Sequence, residues 1–274
     1  MDRIEIPKEH VVRMDNIAPG IEGLRITFVN VFGITHPDGS WTLIDAAMPF
    51  SSALIRSWAE KHFNNSPNAI VLSHGHFDHV GAAAELSDAW HVPIYAHTLE
   101  FPFLTGEREY PAPNPGAGGG MMSLISPLYP RGPVNLGNRL VQFPEREGNL
   151  LTVSEMPGWQ VIHTPGHTPG HVSFFRTKDR TLLPADAFCT TKPESFFSAA
   201  ITQTPELHGP PAYFTWNWEL ARGSVRNLAA LEPLTVAPGH GRPLAGPDIP
   251  AAVRELGARF EEIAVPDNRN ESAA

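Results

Sequence analysis

The spacing of apolar and polar positions divides the chain into many short elements. "LRITFVNVFGI" (24–34) and "SWTLIDAAMP" (40–49) are rich in β-branched and aromatic residues and flank "HPDG", which predicts strands separated by a turn. "SSALIRSWAEKHF" (51–63) opens on Ser, repeats apolar residues at helical spacing and holds no internal Gly or Pro, so it predicts a helix. "NAIVLSH" (68–74) predicts a buried strand, "VGAAAELSDAW" (80–90) a small-residue helix and "VPIYAH" (92–97) a further strand. This β-β-α-β-α-β order implies helices layered on sheet. Strands are expected again at 139–143, 158–164, 171–177 and 180–188. A helix over 218–233, a strand over 234–241 and a helix over 248–264 close the series.

Residues 101–135 interrupt this rhythm. "YPAPNPGAGGGMMSLISPLYPRGP" is dense in Pro and Gly, yet it carries Met121, Met122, Leu124, Ile125 and Leu128. A polar linker would not hold such residues, so the segment reads as a lid-like insertion. A length of 274 residues admits one large domain or two small ones. Residues 1–265 are read as one domain containing that insertion, and 266–274 as a disordered tail.

Charge narrows the function classes. The formal net charge is −9 and Lys and Arg never cluster, which opposes nucleic acid and anionic membranes as partners. No apolar stretch approaches the roughly 20 residues a membrane helix needs. The start, "MDRIEIPKEH", lacks the apolar core of a signal peptide, and the single cysteine, Cys189, excludes an internal disulfide. The expectation is a cytoplasmic protein acting on a small molecule, with a homodimer permitted by its apolar insertions.

The chemistry concentrates in "HGHFDH". His74, His76, Asp78 and His79 supply three nitrogen donors and one anionic oxygen within six positions, a mix suited to zinc, iron or manganese. His74 and His76 end a predicted strand, where alternate side chains share a face. Asp78 and His79 lie in the turn opening the next helix, able to face a second ion. "VIHTPGHTPGH" ends another strand in a rigid Pro/Gly turn. "LLPADAF" places Asp186 after an apolar strand, where an unpaired carboxylate would be costly, and "VAPGHG" places His240 at a third strand end. His10, His36, His62, His91, His97 and His208 sit singly and read as structural.

This ordered set resembles the metallo-β-lactamase superfamily, over nearly the whole chain from the strands near residue 24 through His240. The resemblance implies an α/β fold, the four-layer αββα sandwich. It also implies two divalent ions, zinc first among them and manganese, iron or cobalt as other choices. By the same resemblance His74, His76 and His167 would hold one ion, and Asp78, His79 and His240 the other. Asp186 would bridge them. His167 is chosen because it occupies the G-H-T position; His171 would lie behind the ligands and His163 would be structural. The activity implied is hydrolysis by a metal-bridging hydroxide, with Asp78 accepting a proton or steering the nucleophile and Asp186 as the second catalytic carboxylate.

The ligand pattern is most similar to the N-acyl-homoserine lactonase and glyoxalase II-like branches. True β-lactamases of this fold usually carry Cys or Ser where Asp186 stands. The lactonases commonly carry Tyr three residues after the bridging Asp, where this chain has Cys189, and the stretch after His240 is short for a glyoxalase II extension. The substrate expected is a lactone or related ester of a small, largely apolar molecule. Phosphotriester or phosphodiester hydrolysis on the same site is the alternative, and a mononuclear-iron enzyme resembling persulfide dioxygenases is the alternative from another class. Pocket candidates are Met48, Phe77, Met121, Met122, Phe188, Cys189, Phe196, Phe197, Tyr213 and Trp216.

Overall fold

In the computed structural model, residues 10–132, 134–144, 150–151 and 153–268 are described. They divide into two compact units. Of these described residues, the first unit comprises 10–109, 132, 134–144 and 153–157, and the second 110–131, 150–151 and 158–268.

The first unit is built on a seven-stranded sheet whose strands follow chain order. These are β1 (Val11–Ala18), β2 (Ile21–Ile26), β3 (Val29–Thr35), β4 (Trp41–Ile44), β5 (Ile70–Val71), β6 (Ile94–Ala96) and β7 (Leu140–Gln142). The pairs from β1 to β4 are antiparallel and those from β4 to β7 parallel. The run 24–34, expected as one strand, is instead folded back on itself between β2 and β3, with Ile26 opposite Val29. The reversal is hidden from the pattern because its left-handed residue is Thr27 (φ 60°) rather than Gly or Asn. Helices α1 (Ser52–His62), α2 (Phe77–Val80), α3 (Ala83–Trp90) and α4 (Phe101–Leu104) complete this unit. Helix α1 buries Ile55, Trp58 and Ala59 and carries Lys61 in its last turn, where a cation is stabilised by the helix dipole. Trp41 stacks on Phe63 with ring centroids 4.0 Å apart, tying the helix exit to β4.

One buried histidine outside the candidate site sets a pH dependence. His36 Nε2 lies 2.9 Å from Thr42 Oγ1. Burial holds its pKa below the ordinary 6.5, against the opposing pull of Asp38 and the Glu155 backbone. The fold therefore favours the neutral ring. The stability this contributes is intact above the unfolded pKa and is lost as the pH falls through the lower folded value. Urea midpoints measured from about pH 7.5 down to about 5.5 should fall more steeply for wild type than for His36→Gln. Parallel slopes would refute this role.

The second unit holds α5 (Met121–Ile125) and a six-stranded sheet. Its strands are β8 (Leu150–Leu151), β9 (Trp159–His163), β10 (Val172–Arg176), β11 (Thr181–Ala185), β12 (Thr235–Pro238) and β13 (Leu244–Ala245), ordered β13-β12-β11-β10-β9-β8. Strands β11 and β12 pair in parallel, and the other neighbours pair antiparallel. Helices α6 (Trp218–Ala229), α7 (Ile249–Ala258) and α8 (Phe260–Ile263) supply Trp218, Val225, Leu228, Val253, Leu256 and Phe260 to a core shared with Phe175, Leu182 and Val236. Asn217 caps α6, accepting from the Leu220 N–H at 3.0 Å. The single helix expected over 248–264 is broken at Arg259 (φ −106°, ψ 29°), where α7 closes with a bond from the Arg259 N–H to the Glu255 carbonyl.

The insertion at 101–135 is more structured than its composition suggests. It contains α4, α5 and a turn of 3-10 helix at Ser126–Leu128. Met122, Ser123 and Ser126 are buried, while Met121, Leu124 and Leu128 are exposed. The Ser123 hydroxyl donates to the Ala117 carbonyl at 2.7 Å, and the Met122 N–H donates to the Glu194 carbonyl at 3.0 Å. Among the described residues no helix is long and apolar enough to cross a membrane. Of the expected disordered tail, 269–274 lies outside the described residues.

Candidate metal centre

In the first unit the chain leaves β5 through Ser73 and enters the H-x-H turn. Leu72 still donates to the Tyr95 carbonyl across the sheet, but the next amide, Ser73, donates to Asp45 Oδ1 at 2.7 Å instead. Asp45 follows β4 with φ 60° and is buried. Its Oδ2 accepts from the Ser73 hydroxyl at 2.8 Å and faces His79 Nδ1 at 2.8 Å. A carboxylate oxygen only accepts, so His79 carries its proton on Nδ1 and its lone pair on Nε2. Ser73 has given its proton to Asp45 and therefore accepts from His74 Nδ1 at 3.0 Å, which leaves the His74 lone pair on Nε2 as well. Orienting partners of this kind are what metal-ligating histidines need.

Asp78 and His79 lie on α2, a single turn that starts immediately after His76. His74, His76, Asp78 and His79 are all buried. His74 Nε2 and His76 Nδ1 are 3.0 Å apart. Gly81, just after α2, lies so close to the Met48–Pro49 backbone that a Cβ would come within 2.2 Å of the Pro49 nitrogen. Only glycine lets this turn seat against that backbone.

In the second unit the donors sit at the ends of β9, β11 and β12. Asp186 follows β11, whose Pro184 lacks an N–H, and the β11–β12 register shifts between Leu182 and Ala185. Ala185 then adopts φ 49° and the Asp186 N–H donates to His171 Nε2 at 3.0 Å. His171 thus carries its proton on Nδ1, which faces Thr164 Oγ1 at 2.9 Å. Thr164 Oγ1 is 2.9 Å from Ser173 Oγ, and Ser173 donates to the Pro184 carbonyl at 3.0 Å. This relay fixes the backbone from which Asp186 projects. His171 therefore orients the Asp186 main chain, and His163 bonds the Pro169 carbonyl at 2.8 Å and braces the turn.

His167 Nδ1 lies 3.3 Å from Thr215 Oγ1, which itself donates to the Pro211 carbonyl at 2.8 Å. Thr215 is then the acceptor, and the His167 lone pair is on Nε2, 3.5 Å from Asp186 Oδ2. His240 Nε2 approaches the same oxygen at 3.1 Å. All three side chains are buried.

These distances test whether the residues fit divalent ions. Metal–nitrogen bonds of 2.0–2.1 Å in tetrahedral geometry give a ligand–ligand edge of about 3.3 Å. Spacings of 3.0 Å in the first unit, and 3.1 and 3.5 Å in the second, bracket that edge. The seven side chains are among the described residues able to donate to an ion. They fit.

The proposed pocket residues fall into several environments. Met48 and Phe77 of the first unit are half-buried. In the second, Phe196 and Trp216 are half-buried, Met121 and Phe197 are exposed, and Met122 and Tyr213 are buried. Phe188 is fully buried within the core formed with α6 and α7. Cys189 is buried too, its backbone paired with that of His208. The residues missed by sequence reasoning are Asp45, Ser73, Thr164 and Thr215, which touch the ligand histidines or their partners, and Glu100. The one trace of Asp45 in the sequence is that "TLID" ends an apolar strand in Asp, as "LLPAD" does.

Residues 24–240 match the family model of the metallo-beta-lactamase superfamily, and the chain belongs to that superfamily. With this donor chemistry it is a metal-dependent hydrolase. Among its relatives is the probable metallo-hydrolase YflN of Bacillus subtilis (strain 168), 40% identical over 250 residues, covering 90% of this chain and 93% of the relative. Two solved structures share the fold. TTHA1623 in a di-iron-bound form aligns with a TM-score of 0.52 at 25% identity, covering 81% of this chain and 92% of that one. A metallo-beta-lactamase from Erythrobacter litoralis aligns with a TM-score of 0.59 at 15% identity, covering 91% and 97%. The α/β metallo-β-lactamase fold expected from the sequence is the fold of this protein.

Proposed function

We propose that the enzyme hydrolyses a lactone or related ester of a small, largely apolar substrate with two divalent ions. His74, His76 and His167 would hold one ion and Asp78, His79 and His240 the other, with Asp186 between them; zinc is the first choice. The observation that carries this reading is the fixed tautomer of the histidines. His74, His79 and His167 each have Nδ1 committed to a buried acceptor, which leaves Nε2 as the ligating nitrogen. When bound, such ions lower the pKa of a water toward about 7 and polarise a carbonyl oxygen.

The protein's own groups do the rest. The Asp78 carboxylate would accept a proton or steer the attacking oxygen, and the burial of these side chains would limit access of bulk water. The net charge of −9 and the absence of basic runs oppose polyanionic substrates.

The test is a panel of initial rates on protein prepared with Zn²⁺ or Mn²⁺, with and without chelator, alongside a count of bound metal. The panel comprises γ- and δ-lactones, an N-acyl-homoserine lactone, an aryl ester, a phosphotriester, a phosphodiester and a β-lactam. Chelator-sensitive lactone or ester turnover well above the rest is expected. Dominant phosphoester turnover would overturn the substrate assignment. One iron per chain with oxygen consumption would overturn the hydrolytic dinuclear reading.

A further inference from the structure

The turn between the two histidines of the H-x-H motif has a support that lies outside the motif. "HTLEF" (97–101) follows β6, and its Thr98–Glu100 segment forms one turn of 3-10 helix. Glu100 is a charged side chain with no solvent exposure. Its Oε2 accepts from the Gly75 N–H at 2.9 Å. Gly75 stands between His74 and His76, so this bond grips the backbone from which both imidazoles project.

The grip is rigid at its other end. The Glu100 N–H donates to the His97 carbonyl at 2.9 Å, and the Leu99 N–H donates to His97 Nδ1 at 3.2 Å. Phe101 begins α4 directly, and the Thr105 N–H closes that helix on the Phe101 carbonyl at 2.8 Å. Glu100 is therefore presented from a segment whose own main chain is pinned on both sides.

A second observation shows why such a grip is needed. Past Leu72 the turn leaves the sheet, and its amides turn to side chains in place of a neighbouring strand. The Ser73 N–H goes to Asp45 and the Gly75 N–H goes to Glu100. Two buried carboxylates thus replace the missing ladder. A buried amide left without an acceptor loses its hydration with no compensating bond, so the turn would relax to find one. Such relaxation would rotate His74 and His76 together, because both side chains hang from the peptides flanking Gly75.

We infer that Glu100 is a positioning residue that holds the His74–Gly75–His76 backbone in its metal-ready conformation by accepting the Gly75 N–H. This rests on the reading of His74 and His76 as metal ligands. The role requires an acceptor at that distance and does not require the full charge. Glutamine can supply it, whereas alanine cannot, and aspartate is too short to reach.

The experiment compares wild type with Glu100→Gln, Glu100→Asp and Glu100→Ala. Affinity for Co²⁺ and Zn²⁺ is read by competition with a chromophoric chelator, the ligand field by the visible Co²⁺ spectrum, and the fold by the melting temperature of the metal-free protein. Glu100→Ala and Glu100→Asp are expected to lose about tenfold to a hundredfold in affinity, with altered Co²⁺ bands, while Glu100→Gln stays within about threefold of wild type. Wild-type affinity in both the Ala and Asp variants would overturn the inference. So would equal losses in all three, or lower melting temperatures with affinity unchanged. If the Ala variant fails to fold, the Gln–Asp comparison decides alone. If wild type itself holds no ion against the chelator, the ligand reading fails first, which separates that failure from this one.

Discussion

Asp186→Ala is expected to lower kcat/KM by about a thousandfold or more, roughly 4 kcal/mol of transition-state stabilisation, while leaving the fold intact. Both halves of this expectation come from the same local structure. The carboxylate oxygen Oδ2 is approached by His240 at 3.1 Å and His167 at 3.5 Å, so its removal takes away the anion on which two imidazoles converge. The Asp186 backbone, however, is held without help from its side chain. Its N–H donates to His171, and the preceding Ala185 carbonyl accepts from the Gly239 N–H at 3.0 Å. The metal-free variant should melt no lower than metal-free wild type, because deleting a buried carboxylate removes a desolvated charge. Turnover, metal content and melting temperature measured together check this. Activity within tenfold of wild type would remove Asp186 from the centre of the chemistry.

Gly166→Ala is expected to destabilise the protein by about 3–5 kcal/mol, in the range reached by a steric clash or backbone strain in a packed interior. Gly166 adopts φ 139°, a conformation L side chains rarely enter. A Cβ there would lie 2.3 Å from the Ala221 nitrogen and 2.4 Å from its Cα, which are backbone atoms of α6. The Gly166 carbonyl also accepts from the Asn217 N–H at 2.8 Å, so the residue joins the helix cap to the His167 turn. Relief of the clash must displace either α6 or His167. Urea unfolding reports the stability loss and metal binding reports the displaced ligand. Gly223→Ala, on α6 itself and with open space around its Cβ, is the control and should leave stability unchanged or slightly raised. An unshifted unfolding midpoint for Gly166→Ala would show that the α6 contact yields.

The amino-acid sequence discloses the ligand-bearing turns more readily than their supports. His74, His76, Asp78 and His79 are legible because a solvated turn has no use for four donor side chains in six positions, and the apolar runs before them mark strands that end there. Asp45 is less legible although it closes an apolar strand as Asp186 does; a lone Asp before "AAMP" carries no spacing signal. Glu100 is harder still. Charged residues are normally exposed, and nothing in "HTLEF" announces a fully buried carboxylate.

Among the elements, β1 is hard to read because "VVRMDNIA" has no two-residue alternation. Its register shifts between Met14 and Ala18, and Asn16 sits at φ 56°, so the burial pattern is scrambled. The helix predicted over 51–63 is clear because a Ser start, an amphipathic face and the absence of breakers agree. Phe188 shows the opposite difficulty. Proximity to Asp186 in sequence suggests a pocket, whereas two positions further on the chain has turned the ring into the core.

The proline-interrupted strand also bears on how the protein assembles. Strands β9, β10 and β11 join through short connections, so their pairing closes small loops and carries little entropic cost. The parallel pairing of β11 with β12 instead closes the long excursion between Ala185 and Thr235, at a larger entropic cost. That pairing is also the one that brings His240 beside Asp186. The second unit's donor set therefore depends on the least local strand pairing of those that carry it.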